Sequence, residues 1–351
     1  MEKTNRLANL VGLQNGFRKR WESSVKTCDI AIPVWNELES TKKCVERLKG
    51  FTRYPYRLTV VDNGSGNLVK GYLEGIKKDF LSYRLIRNEE NLGFVKAVNQ
   101  AMALSDADYF CVLNNDAYVS DGWLKDLIET VESGPGNIGL ANPTSNIFGK
   151  SAPDGSAGEF QELDSCKGFC LLIKKEVIEK IGFFDEIFGM GYFEEKDFSR
   201  RAIEAGFICV RAKSSFVSHK DRLSFNKLKN RDEIFQRNEL IYNERWGRPE
   251  SIAFVAKDKK AIEDKKELIY YFLKKGDRIN VFFPKNFPSP ELKDHIEIRL
   301  FPMTEAFFFY ATLFKIWKRR RKKKIGVIIS ETKEMNKFFN RFRFLHGARV
   351  T

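Results

Sequence analysis

The chain has 351 residues, 42% hydrophobic and 31% charged, which is the make-up of an ordinary globular protein long enough for two domains at about 100–200 residues each. Its formal net charge of +14 biases its partners toward polyanions such as nucleotide phosphates or anionic lipid. Residues 1–24 hold no apolar core of signal-peptide length, and the longest apolar stretch, 306–317, falls short of the roughly 20 residues that span a bilayer, so neither secretion nor a membrane span is expected and the expected location is cytoplasmic.

From residue 27 the sequence alternates β-rich runs with helical periodicity. A buried strand is expected over 29–35, then a helix over 38–50 that aligns Leu38, Thr41, Val45 and Leu48 on one face. The next strand, over 56–61, ends at the turn signal Asp62-Asn63-Gly64-Ser65. A helix over 68–80, a strand over 83–87, a helix over 93–103 and a very apolar strand over 109–113 follow, the last running into Asn114-Asn115-Asp116. This alternation predicts an α/β fold with right-handed crossovers between parallel strands. Such sheets bind ligands at the carboxyl ends of their strands. The polar clusters fall there: Asn36 and Glu37, Asp62 to Ser65, residues 88–93, and residues 114–116. One ligand site fed by four successive loops is the expectation.

Residues 134–165, rich in Gly, Ser, Pro and Asn, read as an irregular connection. A strand over 168–173, a helix over 175–181, a turn-like stretch over 183–192 and a helix over 194–205 come next. After Trp246-Gly247-Arg248-Pro249 the composition shifts toward Lys and Phe. Strands over 252–256, 279–283, 296–301 and 325–330 then alternate with helices over 265–275, 305–318 and 333–344. The expected domains are an N-terminal extension (1–26), an α/β catalytic domain (27–248) and a small basic Rossmann-like domain (249–351). The six cysteines are scattered, mostly within apolar runs and with no C-x-x-C pair, as expected of reduced core thiols.

Four polar groups are candidates for chemistry. Asp116 emerges from a buried strand with Asn114 and Asn115, where a carboxylate can hold a divalent cation that bridges phosphate oxygens; Mg²⁺ or Mn²⁺ suits such ligands. The same tripeptide also reads as an Asx turn closing a strand. Glu194, Glu195 and Asp197 open a helix. Carboxylates favour the positive end of the helix dipole, and Asp197 with Arg201 is an ordinary i,i+4 pair; alternatively, one of the three is a general base for an acceptor hydroxyl. Asp62 can accept from a base N–H or a ribose hydroxyl, with Gly64 letting the backbone approach the ligand. Asn91-Leu92-Gly93-Phe94 opens a helix whose amides can face phosphate. Of the three histidines, His219 lies in Ser218-His219-Lys220, beyond the acidic helix. The absence of G-x-G-x-x-G and of G-x-x-x-x-G-K-[ST] argues against a dinucleotide oxidoreductase and a P-loop NTPase.

Together these segments resemble the family 2 glycosyltransferases, which have the GT-A fold, and most closely the rhamnosyltransferase-like and galactofuranosyltransferase-like subgroup. The resemblance runs from Cys28 to about Phe225. It rests on Ile32-Pro33-Val34-Trp35-Asn36-Glu37, Val60-Val61-Asp62-Asn63-Gly64-Ser65, Asn88 with Asn91-Leu92-Gly93-Phe94 and Asn99, and Leu113-Asn114-Asn115-Asp116 followed by Gly122-Trp123-Leu124. Further along, Cys166 to Ile173, Ile181-Gly182-Phe183-Phe184-Asp185-Glu186, the run from Gly191 to Arg201 and Val217-Ser218-His219 complete it in order. The resemblance implies an inverting, metal-assisted hexosyl- or deoxyhexosyltransferase with a UDP- or dTDP-linked donor and a glycan or lipid-linked acceptor, working in polysaccharide or cell-envelope biosynthesis. It implies donor contacts at Pro33, Trp35, Asn36, Glu37, Asp62, Gly64, Ser65, Asn91, Gly93, Phe94, Asn99, Asn114 and Asn115. Asp116 and His219 would hold Mn²⁺ or Mg²⁺, and Glu195 would be the base, with Glu194 and Asp197 as alternatives. Two departures stand out: the first D-x-D position is Asn114, and the usual Glu-Asp at the base is Glu194-Glu195.

Two rival readings predict different sequences: a non-catalytic glycan-binding or scaffold protein of the same fold predicts a lost metal or base carboxylate, and a nucleotidyltransferase predicts a Gly-rich loop after the first strand where this chain has Pro33-Val34-Trp35-Asn36-Glu37. The basic run from Lys318 to Lys324 reads either as a solvated helix end or as a peripheral contact with an anionic membrane at the inner face of the cell membrane. With no recognised nucleic-acid motif, nucleic acid is not an expected partner.

Overall fold

The computed structural model describes residues 26–220, 230–319 and 324–351. Two sheets organise these residues. The first is built from β1 (Cys28–Val34), β2 (Arg57–Asn63), β3 (Tyr83–Asn88), β4 (Tyr109–Leu113), β5 (Ala117–Val119), β6 (Ile138–Thr144), β7 (Phe160–Leu163), β8 (Cys170–Lys174) and β9 (Ile208–His219), in the order β3-β2-β1-β4-β8-β6-β9-β5 with β7 on β9. Strands β1 to β4 are mutually parallel; β8, β5 and β7 run antiparallel to their neighbours, so the sheet is mixed.

The strand sequences explain this placement. Parallel strands covered on both faces are apolar almost throughout, because successive side chains point to opposite faces. In β4, Tyr109, Cys111 and Leu113 join one core and Phe110 and Val112 the other. The helix Leu38–Phe51 closes the first core with Cys44, Val45 and Leu48, and the helix Phe94–Met102 closes the second with Val95, Val98 and Met102. All six cysteines are buried.

The stretch 134–165 corrects the expectation of an irregular connection, for it contributes β6 and β7. Asn142 and Pro143 within β6 are both accommodated. The amide of Asn142 is fully bonded to backbone, and the pairing of β6 with β9 shifts register just after Pro143, where a proline is tolerated. The helix Arg231–Trp246 was also unforeseen.

The second sheet comprises β10 (Ser251–Val255), β11 (Arg278–Pro284), β12 (Ile298–Met303), β13 (Val327–Ser330) and β14 (Arg349–Val350), all parallel in the order β12-β11-β10-β13-β14. That is the doubly wound order, with the helix Lys266–Lys274 on one face and the helices Phe308–Arg319 and Lys333–Arg341 on the other. The segment around His295 adds a short parallel bridge to the edge strand β7: Glu162 N–H donates to the Asp294 carbonyl at 2.7 Å, and Ile296 N–H donates back to Glu162 at 3.0 Å. No helix among the described residues is long and apolar enough to cross a membrane. Residues 320–323 of the basic run lie outside the described residues.

Candidate active site

In the first sheet the chain leaves β1 for β2 on one side and later returns to pair β4 on the other, so the strand order reverses at β1. The crevice beyond the carboxyl ends of β1 and β4 is where such a sheet binds ligands. A cavity of about 820 Å³ lies there, lined by Pro33 to Trp35 at the end of β1 and by Asn114 to Asp116 at the end of β4. Asn63, Asn91, Phe94, Lys167, Gly168, Glu194, Glu195 and His219 are among the other residues of its wall. Its size suits a ligand larger than a single sugar.

Asp116 and His219 are 103 positions apart in sequence but adjacent in space because β5 pairs antiparallel with β9, setting Ala117 opposite His219. His219 Nε2 lies 2.9 Å from Asp116 Oδ1. The Asn146 side chain fixes the His219 backbone from both sides, accepting from its N–H and donating to its carbonyl at 2.8 Å each. Asn115 donates to Thr41 Oγ1 at 3.0 Å, which ties the tripeptide to the first helix. Two buried atoms here have no hydrogen-bond partner, Asn114 Oδ1 and His219 Nδ1. A buried polar atom without a partner is costly and calls for an explanation. A carboxylate, an unbonded carbonyl oxygen and an imidazole thus converge on the cavity. Among the described residues no group of three or more His, Cys, Asp or Glu is arranged to hold a metal ion, so this set cannot enclose a cation alone. A few protein ligands completed by substrate phosphates is how Mg²⁺ is commonly held, and the set fits that use.

The acidic helix Glu194–Glu204 presents its three carboxylates differently. Glu195 is partly exposed and lines the cavity. Glu194 is buried with Oε2 unpartnered; burial and then the neighbouring Glu195 push its carboxyl well above the usual range. Asp197 is fully buried and faces away from the cavity lining. It accepts from Arg201 at 2.8 Å, from Arg245 at 2.6 Å and from the Trp246 indole at 2.9 Å. The lone pairs of Asp197 are thus engaged in anchoring the helix Arg231–Trp246.

The lead-in to this helix is strained. Tyr192 and Phe193 both adopt left-handed backbone (φ 70° and 72°), which costs an ordinary L-residue about 1 kcal/mol or more each. Asn238, the one buried residue of its helix, holds them there by donating to the carbonyls of Phe188 (2.8 Å), Gly191 (2.7 Å) and Tyr192 (3.2 Å). Asn238→Ala is expected to lower the unfolding free energy by about 1–3 kcal/mol in urea denaturation, because it leaves buried carbonyls unbonded.

Several expected donor contacts are turned toward protein instead. Asp62 is fully buried: Oδ1 accepts from Ser65 N–H at 2.9 Å, and the other oxygen pairs with Arg87. Ser65 Oγ accepts from Asn36 N–H at 2.8 Å, and Asn36 Oδ1 accepts from Gly66 N–H at 3.1 Å. This network braces Asn36 and Glu37, which adopt left-handed φ of 57° and 56° beside Trp35. Gly64 (φ 75°) is needed because a Cβ there would sit 2.6 Å from the Glu90 backbone, so the close approach it permits is to that loop. At Gly93 (φ 89°) a Cβ would sit 2.7 Å from the Gly189 carbonyl. The Asn99 amide is spent on the backbone of Phe184, donating at 2.9 Å and accepting at 3.1 Å. Asn91 and Phe94 do line the cavity, and Asn91 Oδ1 also accepts from Asn63 and from Gly93 N–H.

Three contributors were not singled out from the sequence. Asn63 lies beside the expected Asp62 and stitches the 88–93 loop through Asn88, Asn91, Leu92 and Gly93. Asn142, in the unforeseen β6, fixes the backbone of Lys167 with bonds of 2.7 and 2.9 Å, and so sets Lys167 and Gly168 in the cavity wall. A polar residue within an apolar run was the available signal for Asn142; Lys167 had none.

This sheet order, with a cavity at the β1–β4 switch and an acidic turn after β4, is the GT-A fold, and solved structures bear it out. A mannosyltransferase from Pyrobaculum calidifontis, solved with GDP-Man and Mn²⁺, superposes over 67% of this chain and 72% of its own with a TM-score of 0.51 at 14% identity. GalNAc-T7, solved with UDP, GalNAc and Mn²⁺, superposes over 64% of this chain and 48% of its own with a TM-score of 0.53 at 16% identity. In sequence, residues 29–182 match the model of the glycosyl transferase family 2, a span of less than half the chain that runs from β1 through the helix Lys175–Ile181. The glycosyltransferase AglE of Haloferax volcanii is 24% identical over 198 residues, 53% of this chain and 64% of its own length. None of these relatives is named as a rhamnosyl- or galactofuranosyltransferase.

Proposed function

We propose that the protein is a nucleotide-sugar-dependent glycosyltransferase that moves a sugar, with inversion, to a hydroxyl of a glycan or lipid-linked acceptor. The observation that carries this reading is that one cavity holds both the Asp116–His219 contact, with the unbonded Asn114 carbonyl oxygen beside it, and the partly exposed carboxylate of Glu195. The family match and the nucleotide and Mn²⁺ complexes of the two structural relatives support it.

Asp116 and His219 would hold Mn²⁺ or Mg²⁺ together with the donor diphosphate, here read as UDP- or dTDP-linked. When bound, such a cation offsets the negative charge that develops on the leaving diphosphate. Trp35, Asn91 and Phe94 offer the donor an aromatic and amide wall. The acceptor hydroxyl passes its proton to Glu195 as its oxygen bonds to the anomeric carbon, and the nucleoside diphosphate leaves from the opposite face with the bonding pair. One base and a single in-line displacement give inversion.

Asp116→Ala should abolish metal-dependent binding of the nucleoside diphosphate in calorimetry with Mn²⁺, and His219→Ala should weaken it less. Unchanged metal-dependent affinity in the Asp116 variant would remove the metal assignment.

A further inference from the structure

The helix Phe308–Arg319 buries Phe308, Thr312, Leu313 and Ile316 against the second sheet. Its opposite side is also aromatic. Phe307, Tyr310, Phe314 and Trp317 recur at intervals of three and four residues, which places them along one outer face. With Phe344 from the neighbouring helix Arg343–His346, these five side chains are between 44% and 74% exposed. Ring contacts run between the two helices through Phe342, which packs on Tyr310 (6.4 Å between centroids) and on Phe344 (6.3 Å), and along the first helix from Phe314 to Trp317 (5.7 Å). Scattered exposed apolar residues need no explanation, but a periodic aromatic stripe on a helix already packed by its other face does.

The charge around this stripe is one-sided. Lys315 and Lys318 are exposed on the same helix, and Lys318 lies over the Phe314 ring at 4.6 Å. Arg341 and Arg343 are exposed beside Phe344. From residue 306 to the last residue the sequence has 13 Lys and Arg against two acidic residues, Glu331 and Glu334. Aromatic rings that enter the headgroup region, flanked by cations that meet anionic lipid, are the design of an interfacial helix. We propose that this face is a docking surface for an anionic lipid bilayer, on which the helix lies in the plane of the membrane with Phe307, Tyr310, Phe314 and Trp317 inserted. The proposal is independent of the sugar-transfer reading, since it draws on the second sheet alone.

The test is co-sedimentation of the full chain with vesicles of phosphatidylcholine alone and of phosphatidylcholine mixed with phosphatidylglycerol. The wild type should bind the mixed vesicles well above the neutral ones, and added salt should weaken it. Phe314→Ser with Trp317→Ser, and separately Lys315→Glu with Lys318→Glu, should each lower the partition by about tenfold or more. Circular dichroism melting checks that both still fold; the charge pair, being fully at the surface, carries the test if the aromatic pair does not fold. Three outcomes overturn the proposal: vesicle binding that is absent or unaltered in the variants, capture by a single-stranded oligonucleotide in place of the vesicles, or a concentration-dependent dimer in sedimentation velocity that the variants dissolve.

Discussion

Glu195→Gln is expected to lower turnover by about 10²–10⁴-fold, the usual worth of general-base catalysis, while leaving donor affinity close to wild type. Glutamine keeps the size and hydrogen bonding of the side chain but cannot take a proton. The contrast with Glu194 makes the prediction sharp. Burial and the neighbouring Glu195 push the Glu194 carboxyl well above the ordinary range, which favours its neutral form, and glutamine is close in shape to that form. Glu194→Gln should therefore retain most turnover. Steady-state turnover and calorimetric donor affinity, measured on both variants, separate the two residues. A dead Glu194→Gln beside an active Glu195→Gln would move the base by one position.

Asp197→Ala should act on stability instead. Asp197 is fully buried and neutralises Arg201 and Arg245 while accepting from Trp246, so its removal leaves two cations short of a partner and frees the end of the helix Arg231–Trp246. Breaking a buried ion pair by deleting one partner costs about 3–5 kcal/mol. Because the two arginines are partly exposed, the low end, about 3 kcal/mol, is expected from urea denaturation. Turnover per folded molecule should fall far less than in Glu195→Gln. A variant of normal stability and no activity would return Asp197 to the chemistry.

Much of this arrangement is readable before any coordinates, for physical reasons. Strands β1 and β4 are covered on both faces and so appear as near-continuous apolar runs, interrupted in β1 by Asp29, and the polar residues just beyond them must lie together at the sheet edge. The helix Arg231–Trp246 escapes notice because only Asn238 is buried, so it has no apolar stripe to detect. β6 is hidden by Asn142 and Pro143, whose compatibility with a buried strand depends on bonds to Lys167 and Cys170 and on a register shift against β9. The site residues show the same division. Asp62, Asn99 and Asp197 are the right residue types in the right loops, yet their partners, Arg87, Phe184 and Arg245, are distant in sequence and draw the side chains away from the cavity. Residue type and strand end locate the neighbourhood; tertiary partners decide which side chains face the ligand.

Sugar transfer at this site is tested by incubating the wild-type protein with a panel of UDP-, dTDP- and GDP-linked sugars, with and without Mn²⁺, and measuring release of the nucleoside diphosphate. Release is expected from at least one donor; it should require the cation, be abolished in Asp116→Ala and be strongly reduced in Glu195→Gln. Cation-independent release, or release that both variants retain in full, would contradict that expectation.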